Sequence, residues 1–176
     1  MLPLEDRLSG GKLNSLGHTL EVVDDVLAGR ERLEDLFNCY HSHDELVRLR
    51  VSNAMKRIAA ANHRLLIPYL PRFISEISTL DQASAQWTLA QLFLVYTNDL
   101  SSDQYESAVG IMRRNLESYS DWIVLSQTMS TLTEWSLKNN DLQGWLKPLL
   151  EQHASDLRKS VRGRAVRMLN KLNESN

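Results

Sequence analysis

The sequence predicts an all-α chain built from pairs of amphipathic helices, and three observations predict it. Its 30 leucines outnumber the 16 valines and isoleucines, a balance that favours helix over strand. Apolar residues recur at helical spacing: in 156–172, Leu157, Val161, Ala165, Met168, Leu169 and Leu172 fall at offsets 0, 4, 8, 11, 12 and 15. The run 44–58 repeats this with Val47, Val51, Ala54, Met55 and Ile58, and no alternating run of strand length stands beside them. Finally, 7 Gly and 4 Pro in 176 residues are few for a chain that must make many β-turns.

Taken in order, the first dozen residues carry acids without a continuous apolar stripe and are expected to fray, as is the tail 173–176 (overall 1–13 and 173–176). A first helix is expected over about Thr19–Ala28, closed by Gly29, and a second over Glu31–Tyr40. The turn His41–His43 leads to a helix that starts at Asp44. Pro68 and Pro71 suit the early turns of a helix continuing to Ile77. Asp81, Ser102, Asp121, Asp141 and the pair Ser155/Asp156 stand where N-caps belong, each ahead of a helical pattern. About nine helices result. The most apolar stretch, 87–96, is roughly half of what a membrane span requires and is expected as a buried helix.

The helices repeat. The runs 47–55 (VRLRVSNAM) and 161–169 (VRGRAVRML) share a Val-Arg-x-Arg start, a small or β-branched residue four positions on, and an apolar pair at seven and eight. Runs beginning at Ala85 and Val124 fit the same frame more loosely, so the starts Val47, Ala85, Val124 and Val161 are spaced by 38, 39 and 37 residues. Four helix pairs are expected, over roughly 31–61, 65–98, 102–138 and 141–172, within one domain spanning 1–176.

These runs resemble HEAT repeats of the armadillo-like α-solenoid class, whose second helix carries Asp in the turn, then Val-Arg, then alanines and Leu. The resemblance covers about 31–172; it is specific in the first and last repeats and loose in the middle two, where Gln86 and Leu125 replace the Arg. It implies a right-handed α-α superhelix with an N-terminal capping helix. It also implies protein-binding or scaffolding work and, in one branch, the alkylated-base DNA glycosylases.

Chemistry-bearing motifs are sparse. Cys39, His41 and His43 gather metal-ligand types in a short run, but i/i+2 spacing cannot set them on one helical face, and an inter-helix turn with a buried Cys is the expectation. Ser9–Lys12 matches S-x-x-K without the partner motifs of that enzyme class, and a P-loop fails at Asp6 and Leu13. No catalytic residue, metal or cofactor is expected, and the chain is expected not to be an enzyme. A single Cys, no signal peptide and a net charge of −2 (20 Lys+Arg against 22 Asp+Glu) favour a cytoplasmic protein over a general nucleic-acid binder.

The last helix concentrates Arg158, Lys159, Arg162, Arg164, Arg167 and Lys171, and the first inner helix carries Arg48, Arg50, Lys56, Arg57 and Arg64. Their stems are expected to cover apolar edges while their heads pair with acids or the helix C-terminal dipole. In the repeat frame, positions 0, 4, 7, 8 and 11 of each inner helix face the core, and positions 2, 6 and 9 face the opposite, concave side. The latter are Leu49, Asn53 and Lys56; Trp87, Gln91 and Leu94; Ser126, Ser130 and Thr133; and Gly163, Arg167 and Asn170, with Arg164 on the flank. A groove uncharged in its middle and cationic at its ends suits a protein or peptide partner. Trp122, Trp135 and Trp145 are expected to pack between repeats. The alternatives are a nucleic-acid or damaged-base binder, and a homodimer formed through the concave or terminal surface. No membrane association is expected.

Overall fold

The structure, a computed structural model, describes residues 3–12 and 15–174. They are helical throughout, with no strand among the described residues. The α-helices are α1 (Leu4–Leu8), α2 (Thr19–Leu27), α3 (Leu33–Asn38), α4 (Glu45–Ala61), α5 (Leu70–Ser75), α6 (Ala83–Val95), α7 (Ser102–Ser118), α8 (Trp122–Ser136), α9 (Asn140–His153) and α10 (Lys159–Glu174), with 3-10 turns at Cys39–His41, His63–Tyr69 and Ile77–Thr79. No helix among the described residues is long and apolar enough to cross a membrane. The chain gathers into two compact units, Met1–Thr88 and Leu89–Asn176.

In the first unit α4 is the central element, packed against α1, α2 and the 3-10 turns on either side of it. Asp44 starts it by accepting a bond from the Leu46 amide at 2.8 Å, and Val47, Val51, Ala54, Met55 and Ile58 are all fully buried. Phe37, Tyr40 and Phe73 form an edge-to-face aromatic cluster, and Arg72 lies 4.3 Å over the Phe37 ring while bridging to Glu34 (2.8 Å) and Glu76 (2.7 Å). The expected fraying at the N-terminus gives way over 4–8 to a short helix. Its Leu4 and Leu8 are i,i+4 neighbours and both bury, and Arg7 bridges to Asp25 (2.6 Å) and Glu31 (3.1 Å). Leu13 and residues 1–2, 175 and 176, expected to fray, lie outside the described residues. The expected helix through Pro68 and Pro71 is divided: Pro68 falls in the 3-10 turn and Pro71 opens α5, where a missing N–H costs nothing.

Beneath α1 lies Arg50, 2% exposed. Its guanidinium donates to the carbonyls of Leu8 (2.7 Å), Ser9 (3.0 Å), Gly10 (2.7 Å), Lys12 (3.4 Å) and Ser15 (3.1 and 3.2 Å). Gly17 has φ +51°, and a Cβ there would stand 2.8 Å from Arg50 Cζ, so only glycine permits the approach.

In the second unit α8 packs on α7, α9 and α10, and α10 also on α9. Asp121 caps α8 by accepting from the Ile123 and Val124 amides (2.9 and 3.0 Å). The caps of α7 and α9 fall one and two residues before the expected Ser102 and Asp141: Ser101 forms a reciprocal capping box with Gln104, and Asn139 accepts from the Leu142 amide at 2.9 Å. Helix α10 starts at Lys159, so Leu157, expected on its apolar stripe, stands 96% exposed. Val161, Ala165 and Leu172 of that stripe are buried; Met168 and Leu169 are half-buried.

Side-chain bonds in both units join residues about one period apart. In the first unit these are Arg48 to Gln82 (34 residues), Gln82 to the Glu45 carbonyl (37) and Arg72 to Glu34 (38). In the second they are Trp135 to Thr97 (38), Thr131 to the Ala90 carbonyl (41), Arg164 to Ser126 (38) and Lys171 to Glu134 (37).

Candidate functional site

Leu49 on α4 and Trp87 on α6, both half-buried, meet in one pocket of about 310 Å³ in the first unit. Ala83, Gln82 and Ser84 complete its wall, and Glu45 and Asp81 supply two carboxylates. Local bonds hold the pocket's shape. Gln82 Nε2 donates to the Glu45 carbonyl (3.0 Å) and to Ser84 Oγ (2.7 Å), while its Oε1 accepts from Arg48 Nε. Arg48 also donates to the Ser42 carbonyl at 2.6 Å, which spends its guanidinium at the edge of the pocket. Gln86, fully buried, donates to the carbonyls of Ser78 (3.2 Å) and Leu80 (2.7 Å) and so fixes the chain leading into α6. The result is an apolar floor bordered by two carboxylates and lined by the Trp87 indole.

Asn53 and Lys56 lie half-buried farther along α4. Asn53 Oδ1 accepts from Arg57 Nε at 2.7 Å, and burial, aided by Arg57, lowers the Lys56 pKa from its ordinary value. In the second unit Gln91, Leu94, Ser130, Gly163 and Arg164 are half-buried, and Arg167 and Asn170 are exposed. Ser126 and Thr133 do not belong to a surface: they are 6% and 0% exposed, because the apolar stripe of α8 is wide enough to cover them. Ser126 and Ser130 instead accept from Arg164 (2.9 and 3.1 Å), whose pKa is lowered by burial and then by Arg167.

No protein-family model matches this chain, and no curated protein matches it.

The other residues singled out by sequence separate. Cys39 Sγ donates to the Asp35 carbonyl (3.3 Å), and burial, with Glu5 and Asp35 nearby, pushes its thiol up to about 11. His41 faces Glu76 at 3.3 Å, and His43 is exposed. Among the described residues no group of three or more His, Cys, Asp or Glu is placed to hold a metal ion. Ser9 Oγ donates to the Asp6 carbonyl at 2.9 Å, and the Lys12 carbonyl faces Arg50. Of the tryptophans expected to pack internally, Trp135 is buried and its Nε1 donates to Thr97 (2.9 Å), and Trp145 lies under Arg113 at 4.7 Å. Trp122 is instead 50% exposed, because it opens α8 at the first position past its cap.

Nothing in the sequence signals a second cavity, of about 330 Å³, between α7 and the start of α9. Tyr105, Glu106 and Arg113 line one wall, and Asn139, Asp141 and Leu142 the other. Its lining mixes charged, polar and apolar residues of α7 and the start of α9, so no apolar stripe in the sequence marks it.

Proposed function

We propose that this chain is a non-catalytic scaffold of stacked HEAT-like helix pairs, a right-handed solenoid, that binds a protein partner at the Leu49–Trp87 pocket. One observation carries the proposal: two residues 38 positions apart, at the same place in the repeat frame, line a single apolar pocket flanked by carboxylates. The stacking is supported by side-chain bonds that recur at separations of 34 to 41 residues in both units, the pattern expected when successive repeats lie side by side. A half-buried indole beside a small apolar pocket is a common anchor at protein interfaces. Glu45 and Asp81 favour a segment in which an apolar residue is followed by Lys or Arg, and they disfavour a phosphate backbone. The damaged-base alternative has less support, because Arg158, Arg164 and Lys171 of the cationic terminal region are spent on Asp156, Ser126 and Glu134.

Selection from a random peptide library tests the proposal. Peptides enriched on the intact chain should carry an apolar residue beside a basic one, and Leu49→Ala should weaken them by about tenfold, the effect of losing part of one apolar contact. Enrichment without this pattern, or binding indifferent to Leu49→Ala and Glu45→Lys, would overturn it.

A further inference from the structure

The second unit presents a feature opposite in shape and sign to the pocket. Leu157, 96% exposed, is followed by Arg158 and Lys159, both exposed. An isolated exposed leucine is ordinary, but this one sits on a braced turn. Arg162 donates to the Asp156 and Leu157 carbonyls (2.8 and 3.4 Å), and Arg158 binds the Asp156 carboxylate at 2.7 Å. Arg158 also donates to the Ser120 carbonyl, which sets this turn against the chain just before Trp122, itself 50% exposed. An apolar knob is thus held in place before any partner arrives, which removes much of the ordering cost of binding.

We infer that the occupant of the Leu49–Trp87 pocket is the Leu157 turn of a second copy of this chain. Leu157 enters the apolar floor, and Lys159 faces Glu45. The sign of the charges carries the assignment: the pocket is lined by Glu45 and Asp81 and by no cation, whereas around the knob Lys159 and Arg162 remain after Arg158 pairs with Asp156. Each copy carries one knob and one socket, so contacts pass from copy to copy until a ring of two or more copies closes. The inference rests on the reading that this pocket binds protein.

Sedimentation of the 176-residue chain across a concentration series tests it. The wild type should gain mass with concentration, whereas Leu157→Asp (knob lost) and Glu45→Lys (socket reversed) should each remain monomeric. Both positions are exposed, and circular dichroism verifies that the variants fold. An equimolar mixture of the two variants should form a dimer and stop there, because only one intact knob and one intact socket can meet. A wild type that stays monomeric throughout, a single variant that associates as the wild type does, or a mixture that stays monomeric overturns the inference. A labelled peptide taken from the library separates the two failures. If the wild type is monomeric but that peptide binds, and binds about tenfold more weakly to Glu45→Lys, self-association falls and the protein-binding reading stands. If neither association nor peptide binding occurs, both fall.

Discussion

Arg50 carries a full charge into the interior of the first unit with no carboxylate within ion-pair distance among the described residues; five carbonyl oxygens take its donors instead. Carbonyl dipoles replace the water that the guanidinium loses, and each bond to a charged group is stronger than a neutral one. Truncation would leave several carbonyls unpaired, so Arg50→Ala should destabilise the chain by about 3 kcal/mol or more in urea unfolding. Gly17→Ala should cost about 1 to 2 kcal/mol through its positive φ and its approach to the guanidinium. The second effect should shrink when Arg50 is already Ala, because the close contact is then gone; purely additive losses would refute this coupling. Sequence alone placed Arg50 with the other cations of its helix. Nothing at positions 47–55 could reveal its role, since its partners lie 35 to 42 residues upstream on an irregular segment.

At the scale of the helix, the 3.6-residue period made the core legible. In α4, α6 and α8 every residue at offsets 0, 4, 7, 8 and 11 is buried, including Thr128 and Thr131, whose hydroxyls give no hydropathy signal. What periodicity could not fix was the ends. Helix α10 begins two residues after Leu157, and the prolines near 70 fall in separate turns, because ends depend on individual caps and bonds. His153, in the last turn of α9, illustrates a competition at such an end. The helix dipole and Asp156 favour its charged form, but burial outweighs them and its pKa lies below the ordinary 6.5. The folded state therefore binds this proton more weakly than the unfolded chain. The stability contributed by neutral His153 is complete above pH 6.5 and is lost as pH falls through the lowered value. Melting temperatures should fall between pH 7.5 and 5.5, and His153→Gln should flatten that fall. Asp156, held well below its ordinary 3.8 chiefly by Arg158, acts in a separate window below pH 4.

At the scale of the chain, the residues gather into two compact units, and the repeat period carries no signal of a division at Thr88. The period pairs Leu49 with Trp87, and the two line one pocket; it missed the carboxylates beside them, which come from the chain at the starts of α4 and α6. Two units also predict local responses. Hydrogen exchange should show Arg50→Ala releasing amides within 3–88 while those within 89–174 retain their protection. Equal loss in both would mean that the chain opens as one cooperative body.

The carbonyl ring around Arg50 also orders events during synthesis. Residues 8–15 leave the ribosome 35 to 42 residues before the side chain that organises them. At about 5–20 residues per second they spend roughly 2 to 8 s without it. Helices α2 and α3 need no such delay, because their backbone bonds are local. This segment thus closes only after α4 has emerged, and a ribosome pausing before codon 50 would prolong its exposure.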